Sequence, residues 1–318
     1  MNPMDHTAAA AREPERAMPA GAVPLDLEHL IRRVTELPTL PSTVARILDI
    51  SGDENSSAAD LAKVIYFDQS LAAKVLRIAN SPFYGFAHKV KTLEHATVIL
   101  GFRDIRNMAL AMSVFSSFFA NKGGSRFDRI RFWEHSLSCG LGAKVIAEGA
   151  GLNKTELFVA GLIHDLGKVV LDRFHQEGFL DVLEMATGQG LAWEPAERQV
   201  LGFTHADLAG HLLDAWKFPR ELLRPIAFHH RPWDDEEEPR RSAVLYLADV
   251  LTHAQGLPDY KSQPRPGAEE VQEALDRVAG LGLRLPLSFM SNYAERLKAE
   301  SDSIQDYLNC IITYEMVP

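Results

Sequence analysis

Histidine and aspartate side chains in the second half of the chain follow one another as metal ligands of a helical bundle would. Their order is a single histidine, a His-Asp pair, another single histidine, a His-His pair and a final aspartate. Each interval is long enough for a helix or two to return the chain to one bundle interior, where facing helices build metal sites. The order therefore predicts a metal site whose donors are His135, His164, Asp165, His205, His229, His230 and Asp249.

The donor types and the His-Asp pair predict the kind of site. Imidazole and carboxylate donors suit divalent iron, manganese, zinc or nickel better than a soft, thiol-seeking metal. We expect Asp165 to bridge two ions, with His164 and Asp249 completing the first. Two ions about 3.5 to 4 Å apart would lower the pKa of a bridging water and hold the oxygens of a phosphate ester, which is phosphohydrolase chemistry. The second ion would be held by His205, His229 and His230.

Residues close to these donors carry secondary predictions. Lys168 follows Asp165 by three positions, so on a continuing helix it would share the donor side and neutralise a phosphoryl oxygen, or else form a simple ion pair with Asp165. Gly161 and Gly167 flank the pair and indicate either a close helix approach or a helix end. Thr204 is a typical N-cap, which predicts that His205 begins a helix.

The remaining candidate donors have no place in this pattern. Cys139 and Cys310 lack CxxC spacing, which suits core thiols in a reducing compartment rather than a thiolate cluster. The acidic run at residues 234–238 is interpreted as a solvated loop, because consecutive carboxylates repel one another. We interpret the other histidines as structural or exposed: His6, His29, His88, His95, His175, His211 and His253.

Composition limits the classes of protein that the chain can represent. Its 318 residues are 46% hydrophobic, enough for a substantial core. The net charge of -10 argues against a surface built to bind a phosphate backbone, so nucleic acid is not an expected partner. No apolar run reaches the length of a membrane span, and no signal peptide is evident, so we expect a cytoplasmic protein without membrane contact.

Apolar periodicity predicts helices throughout and no alternating strand pattern. About six helices are expected before residue 120, with Ser57 and Asp60 forming a capping box and Thr92 capping a helix that ends at Leu100 and Gly101. In the second half, helical patterns cover residues 132–148, 156–163, 197–201, 206–216, 219–228 and 242–251.

Punctuation in the sequence predicts four parts. Residues 1–24 lack apolar periodicity and are interpreted as a disordered tail. The NKGGS stretch at 121–125 separates an N-terminal helical subdomain at 25–124 from the metal-site subdomain at 125–255. A helical C-terminal extension follows at 256–318; its apolar side chains from residue 288 onward are expected to close the core, with partner binding as the alternative.

Several motifs resemble the HDOD family, a signalling branch of the HD superfamily. They are LPTLPS at 37–42, DQSLAAKVLRIANSPFYGF at 68–86, TLEHATVILGF at 92–102, WEHS at 133–136, FVAGLIHDLGKVVL at 158–171 and FHHRP at 228–232. The resemblance implies an all-α fold in which a helical N-terminal subdomain packs on an HD-like bundle. It also implies a bacterial regulatory role through contacts with signalling proteins.

The donor set also resembles, residue by residue and including Lys168, the ligand order of the HD-GYP cyclic-dinucleotide phosphodiesterases. Nothing after His230 reads GYP, however, and Arg131 stands four residues before His135, where some relatives carry a glutamate for a third metal. The resemblance therefore implies a two-metal rather than a three-metal site.

Two functions follow as hypotheses. The first is an HDOD-type signalling protein that acts through protein contacts and holds a dinuclear metal site. The alternative is a metal-dependent phosphohydrolase acting on a cyclic dinucleotide, a nucleotide or another phosphodiester, with Asp165 and Lys168 as its catalytic residues. Nucleic-acid regulation is disfavoured by the acidic charge balance.

Overall fold

The structure is a computed structural model that describes residues 27–36, 42–53, 55–80, 84, 86, 88–119, 128–257, 264–285, 289 and 293–297. Within these residues the regular structure consists of α-helices and one short 3-10 turn, with no β-strand. The prediction of an all-α fold is confirmed.

Among the described residues, six helices precede residue 120, which agrees with the prediction of about six. Their ends follow local chemistry: Ser57 and Asp60 form the expected capping box, and the Thr92 side chain accepts a hydrogen bond from the amide of His95. Gly101 ends the fifth helix with φ 94°, a conformation that favours glycine. The helices are α1 (Leu27–Glu36), α2 (Ser42–Ser51), α3 (Ala58–Tyr66), α4 (Gln69–Ala79), α5 (Leu93–Leu100) and α6 (Phe102–Phe119).

The second half contains the expected helices, two that the sequence analysis did not identify, α9 and α10, and α15, which lies in the segment predicted as a helical C-terminal extension. In α10 the buried residues Phe179, Val182 and Ala186 do show helical spacing, so the signal was present. The helices are α7 (Arg129–Ala150), α8 (Lys154–Ile163), α9 (Leu166–Phe174), α10 (Gln176–Gln189), α11 (Trp193–Val200), α12 (His205–Ala215), α13 (Arg220–Phe228), α14 (Pro239–Ala254) and α15 (Ala268–Gly280).

Helix α8 lies at the centre of the second half. Its sequence is apolar around most of its circumference, and every residue from position 155 to 163 is buried, as expected for a helix surrounded by others. It packs against α6, α7, α13 and α14. Because α6 also contacts α9, the two halves share one packed core around α8 and α9.

Ion pairs connect the two halves at the first turn of α8. Glu156 is fully buried and contacts Arg103 of α6 and Arg241 of α14. A second pair joins Arg106 of α6 to Glu221 of α13. A buried carboxylate needs such partners, so α6 and α14 are held at the start of α8 by charge as well as by apolar contact.

Part of the C-terminal segment closes the core, which agrees with the core-closure prediction. Phe289, Tyr293 and Leu297 are buried. A Cβ added at Gly142 of α7 would lie 2.4 Å from the Tyr293 hydroxyl, so the tyrosine packs directly on that helix. The residues after 297 lie outside the described part of the chain.

The predictions for residues 1–24 and for the break at 121–125 also fall outside the described residues, and the four-part division remains a prediction. None of the described helices combines the length and apolar character needed to cross a lipid bilayer.

One residue of the acidic run contradicts the interpretation of that run as a solvated loop. Asp235 is 2% exposed. Its carboxylate accepts hydrogen bonds from Arg224 Nε at 2.9 Å, the Ser242 hydroxyl at 2.5 Å and the Glu238 amide at 3.0 Å. The prediction was wrong for Asp235 because distant partners on α13 and α14, which a local charge pattern does not reveal, stabilise the buried charge.

We expect Asp235→Asn to lower the free energy of unfolding by about 3 kcal/mol at neutral pH, because Arg224 then keeps a nearly buried charge with only the half-exposed Glu237 carboxylate beside it. Although burial alone would raise the pKa of Asp235, hydrogen bonds from Ser242, the Glu238 amide and Arg224 lower it from its ordinary value of 3.8. The folded pKa lies below the unfolded one. The stabilisation is therefore present above about pH 3.8 and is lost as the pH falls through the folded pKa.

Urea unfolding of both proteins between pH 3 and pH 7 measures this effect. Glu236→Gln, a change of the same kind at an exposed neighbour, is the control and should leave the unfolding curve nearly unchanged. Equal stabilities of the Asp235→Asn and parent proteins at pH 7 would contradict the assignment.

Candidate metal centre

The predicted donors converge from three helices, α7, α12 and α14, and from the ends of three others, α8, α9 and α13. His135 lies in the second turn of α7, and His164 and Asp165 occupy the break between α8 and α9. His205 is the first residue of α12 and Asp249 lies in α14. The His-His pair follows the end of α13; His229 is buried and His230 is half-buried. All seven side chains belong to one largely buried cluster.

Two glycines allow the helices to approach closely enough for this. A Cβ at Gly161 of α8 would lie 2.6 Å from the Cα of Gly140 in α7. A Cβ at Gly167 of α9 would lie 2.0 Å from the carbonyl oxygen of His205. The close-approach alternative for both glycines therefore holds, and each contact brings one donor-bearing helix against another.

The start of α12 is fixed by the predicted cap. The Thr204 side chain accepts a hydrogen bond from the amide of Asp207, and Asp207 accepts one from the amide of Thr204. This capping box satisfies amides that would otherwise lack partners and sets the direction in which the helix leaves. His205 therefore begins the helix, as predicted.

Asp165 lies between two groups of donors. Its Oδ1 is 3.0 Å from His205 Nε2 and 3.8 Å from His229 Nε2. Its Oδ2 is 3.4 Å from His164 Nε2 and 3.7 Å from His135 Nε2. We call His135, His164 and Asp249 the first donor group, and His205, His229 and His230 the second donor group.

Hydrogen bonds orient the imidazole rings. Nδ1 lies 2.8 Å from the Leu257 carbonyl oxygen in His135, 2.8 Å from that of Gly161 in His164, and 2.7 Å from that of Ile226 in His229. A carbonyl oxygen only accepts, so Nδ1 must be the protonated nitrogen in each ring. In the neutral ring the Nε2 lone pair is then directed into the cluster, which is the arrangement usual for histidine ligands.

The Nε2 atoms of the cluster lie close to one another. His135 Nε2 and His164 Nε2 are 3.4 Å apart, and His205 Nε2 lies 3.3 Å from His229 Nε2 and 3.0 Å from His230 Nε2. Moreover, Asp249 Oδ1 is buried and accepts no hydrogen bond of good geometry. Cations among these atoms would satisfy them all, so the residues fit the predicted pair of metal ions.

The pKa values describe a cluster of mostly neutral rings around charged carboxylates. Burial lowers the pKa of His229 to about 3 and that of His230 well below its usual value. Burial alone would raise the pKa of Asp165, but His164, Lys168 and His205 lower it well below 3.8. Both results favour metal binding, which requires neutral imidazole and ionised carboxylate.

His205 differs because a carboxylate lies behind it. Glu197 of α11 is fully buried, and its Oε2 is 2.7 Å from His205 Nδ1 and accepts the His205 amide at 2.9 Å. Burial alone would lower the pKa of His205, but Glu197 and Asp165 raise it to about 9. Such a carboxylate behind a ligand fixes the ring orientation and increases the basicity of the ligand.

Lys168 lies in the cluster as an ion pair. Its Nζ is 2.9 Å from Asp165 Oδ2, and the lysine is 3% exposed. Of the two alternatives for Lys168, this contact is the simple ion pair with Asp165, not the neutralisation of a phosphoryl oxygen. The helix does not continue through the pair, however, since α8 ends at Ile163 and α9 begins at Leu166.

Sequence reasoning missed three residues of the cluster. His253 is 7% exposed with Nε2 3.1 Å from Asp249 Oδ1; its position one helical turn after Asp249 was the available signal. Glu197 carried no distinguishing local signal. Cys139 is a core thiol, as expected, yet its sulfur also lies within 4.8 Å of donor atoms of His164 and Asp249. Burial raises the pKa of Cys139 well above 9.0, which keeps the thiol neutral.

The other histidines agree with their interpretation as structural or exposed where the structure describes them. His175 is half-buried, and His6 lies outside the described residues. The exposed ones are His29, His88, His95 and His211.

Solved structures share this fold. A Geobacter sulfurreducens HDOD domain protein of unknown function is 24% identical, with a TM-score of 0.67 over 89% of this chain and 98% of its own. A Shewanella amazonensis SB2B protein, provisionally named a phosphohydrolase, is 23% identical, with a TM-score of 0.67 over 88% and 97% of the two chains. A Marinobacter aquaeolei VT8 protein, provisionally named for signal transduction, gives a TM-score of 0.68 at 24% identity over 88% and 61%. At these identities the similarity shows the fold alone.

Sequence comparison identifies the family. A protein of Treponema pallidum (strain Nichols) that carries no functional name is 22% identical over 237 residues, which are 73% of this chain and 45% of that protein. The chain thus spans less than half of that relative. The profile of the HDOD domain matches residues 37–232, more than half of the chain and all of the predicted donors except Asp249. The chain therefore belongs to the HDOD family.

Proposed function

We propose that this chain is an HDOD signalling protein that acts through protein contacts and holds two divalent transition-metal ions in its HD-like half. The observation that carries the metal site is the position of Asp165, whose two carboxylate oxygens face the two donor groups separately. A bridging carboxylate between two sets of inward-facing imidazoles is what a dinuclear site requires.

The donor groups assign ligands to each ion. The first donor group with Asp165 Oδ2 would hold the first ion, and the second donor group with Asp165 Oδ1 would hold the second. The donors suit iron, manganese, zinc or nickel. When bound, such ions lower the pKa of a coordinated water and polarise phosphoryl oxygens.

Burial supports the regulatory function over the catalytic one. His135, His164, His205 and His229 are fully buried, so only the side of the cluster near His230 and Asp249 has any exposure. Such a site suits ions that stabilise the bundle or sense a small ligand. The first half also exposes Phe67 and Val98, at 72% and 77%, which supports contact with signalling proteins there.

The alternative is a metal-dependent phosphohydrolase acting on a cyclic dinucleotide, a nucleotide or another phosphodiester. It is favoured by the complete donor set and by Lys168, whose ammonium group lies beside the bridging carboxylate. The donor order resembles that of HD-GYP phosphodiesterases, although the GYP segment is missing. In this function Lys168 would neutralise charge on a substrate oxygen.

The proposal includes neither nucleic acid nor membrane as a partner; the net charge of -10 disfavours nucleic acid. It keeps the cytoplasm as the compartment, because the chain has only two cysteines, without disulfide-like spacing.

Metal analysis combined with a hydrolysis panel tests both functions. Protein purified without chelators should contain about two transition-metal ions per chain by elemental analysis. The panel contains cyclic dinucleotides, a nucleotide and a generic aryl phosphodiester. Bound metal without turnover supports the signalling function, and turnover that is lost in Asp165→Asn supports the hydrolase. Absence of metal, even after reconstitution, would contradict the proposed site.

A further inference from the structure

The face of α14 that carries Asp249 also carries a second donor. His253 follows Asp249 by one turn, so the two side chains project to the same side of the helix. His253 Nε2 lies 3.1 Å from Asp249 Oδ1, and the His253 and His135 rings are 4.7 Å apart between centroids. His253 is 7% exposed, so this contact is shielded from bulk water.

The same oxygen faces His135. Asp249 Oδ1 lies 3.2 Å from His135 Nε2. Because His135 donates its Nδ1 proton to the Leu257 carbonyl, Nε2 of the neutral ring has a lone pair and no proton. In that tautomer the carboxylate oxygen and the imidazole nitrogen are two acceptors at contact distance, and a proton or a cation between them would remove their repulsion.

We propose that His253 is a direct ligand of the first ion, together with His135, His164, Asp165 and Asp249. One donor atom each from His135, Asp249 and His253 lies within 4.8 Å of the others, close enough for a single cation to contact all three. This inference rests on the proposed metal site and adds a ligand to it.

The two ions then have unequal surroundings. The first has five protein donors, three imidazoles and two carboxylates, whereas the second has three imidazoles and the shared carboxylate. Five donors exceed the four of a tetrahedral zinc site. The first position therefore favours divalent iron, manganese or nickel, which accept higher coordination numbers with imidazole and carboxylate.

His253→Gln separates ligation from orientation. The glutamine amide nitrogen can occupy nearly the position of Nε2, so it can still donate a hydrogen bond to Asp249 while lacking the imidazole lone pair. His253→Phe removes both capacities. His211→Gln, the same change at an exposed histidine of α12, is the matched control. Circular dichroism checks that each variant folds.

The probe is Co²⁺, added to full-length protein whose metal has been removed with a chelator. Equilibrium dialysis gives the number and affinity of bound ions, and the visible absorption of Co²⁺ reports coordination number. We expect two ions in the parent protein and in His211→Gln. In His253→Gln the affinity for one ion should fall more than about 100-fold, beyond the usual effect of a merely orienting residue, and its absorption should change.

A measurement on the parent protein avoids any folding defect of the variants. Each histidine bound to paramagnetic Co²⁺ gives a strongly shifted ring N–H proton signal. The proposal predicts that His253 contributes such a signal beside those of the other five histidines in the cluster.

The outcomes separate this inference from the proposed function. Two ions in the parent protein with unchanged affinity and absorption in His253→Gln would overturn the ligand role of His253 alone. If Co²⁺ affinity falls in His253→Phe but not in His253→Gln, His253 is a positioning residue. That result would also overturn its role as a ligand. A parent protein that binds no Co²⁺ would overturn the proposed metal site and this inference together.

Discussion

Asp165→Asn should reduce bound metal from about two ions per chain to fewer than one. The asparagine side chain has nearly the same shape but carries no charge and presents only one oxygen. Neither ion would then have an anionic bridge, although the histidines of both donor groups remain. Because Lys168 keeps a buried charge but loses the carboxylate that lies 2.9 Å from its ammonium group, the metal-free variant should also be less stable by about 3 to 5 kcal/mol.

Elemental analysis and chemical unfolding measure the two effects. Asp181→Asn, at an exposed position of α10, is the matched control and should keep both metal and stability. Adding Lys168→Met to Asp165→Asn removes the buried positive charge that has lost this carboxylate, so the double variant should regain stability without regaining metal. Two ions retained by Asp165→Asn would disprove the bridging role.

Gly167→Ala should destabilise the protein by about 3 kcal/mol or more and also disturb the metal site. The added Cβ would lie 2.0 Å from the His205 carbonyl oxygen and 2.7 Å from its carbonyl carbon. Both atoms are backbone, so no side-chain rotation relieves the clash, and α9 and α12 must separate. His205 would then move away from Asp165, so we expect weaker binding of the second ion.

Gly188→Ala tests whether this effect comes from the helix contact. Gly188 also lies inside a helix, α10, but a Cβ added there would have no neighbouring atom within 4 Å beyond its own stretch of helix. Alanine there should be neutral or stabilise the protein by about 0.5 to 1 kcal/mol, since it reduces the freedom of the unfolded chain. The melting temperature and the metal content of Gly167→Ala and Gly188→Ala are measured and compared. Similar melting temperatures would show that α9 and α12 tolerate separation.

Much of this organisation could be predicted from sequence because it depends on local signals. Ser57, Thr92 and Thr204 cap helices through contacts with residues at most three positions away, which a sequence displays directly. The donors could be identified as a set because their residue types and order are unusual for a core. Gly161 and Gly167 are ambiguous between two explanations until the helix contacts are known.

The rest depends on contacts between distant segments. Glu197 is an ordinary glutamate of an amphipathic helix until α11 and α12 bring it behind His205. Asp235 has the sequence context of a solvated residue, and only Arg224 and Ser242 explain its burial. His253 does have a local signal in its spacing from Asp249, but in the sequence Asp249 is itself only one candidate among several. Polar residues that support a site from behind are therefore the part that sequence patterns reveal least.

Helix α8 has different partners at its two ends. Glu156 in its first turn joins α6 and α14, and His164 with Asp165 follows directly after its last residue. At 1.5 Å per residue the two ends are about 12 Å apart along a rigid helix. Any shift of α8 caused by a cation would thus reach the first half, and thermodynamic linkage is reciprocal. If a bound cation changes the affinity of α6 for a partner by some factor, that partner changes the affinity for the cation by the same factor. Metal occupancy would then report on partner binding.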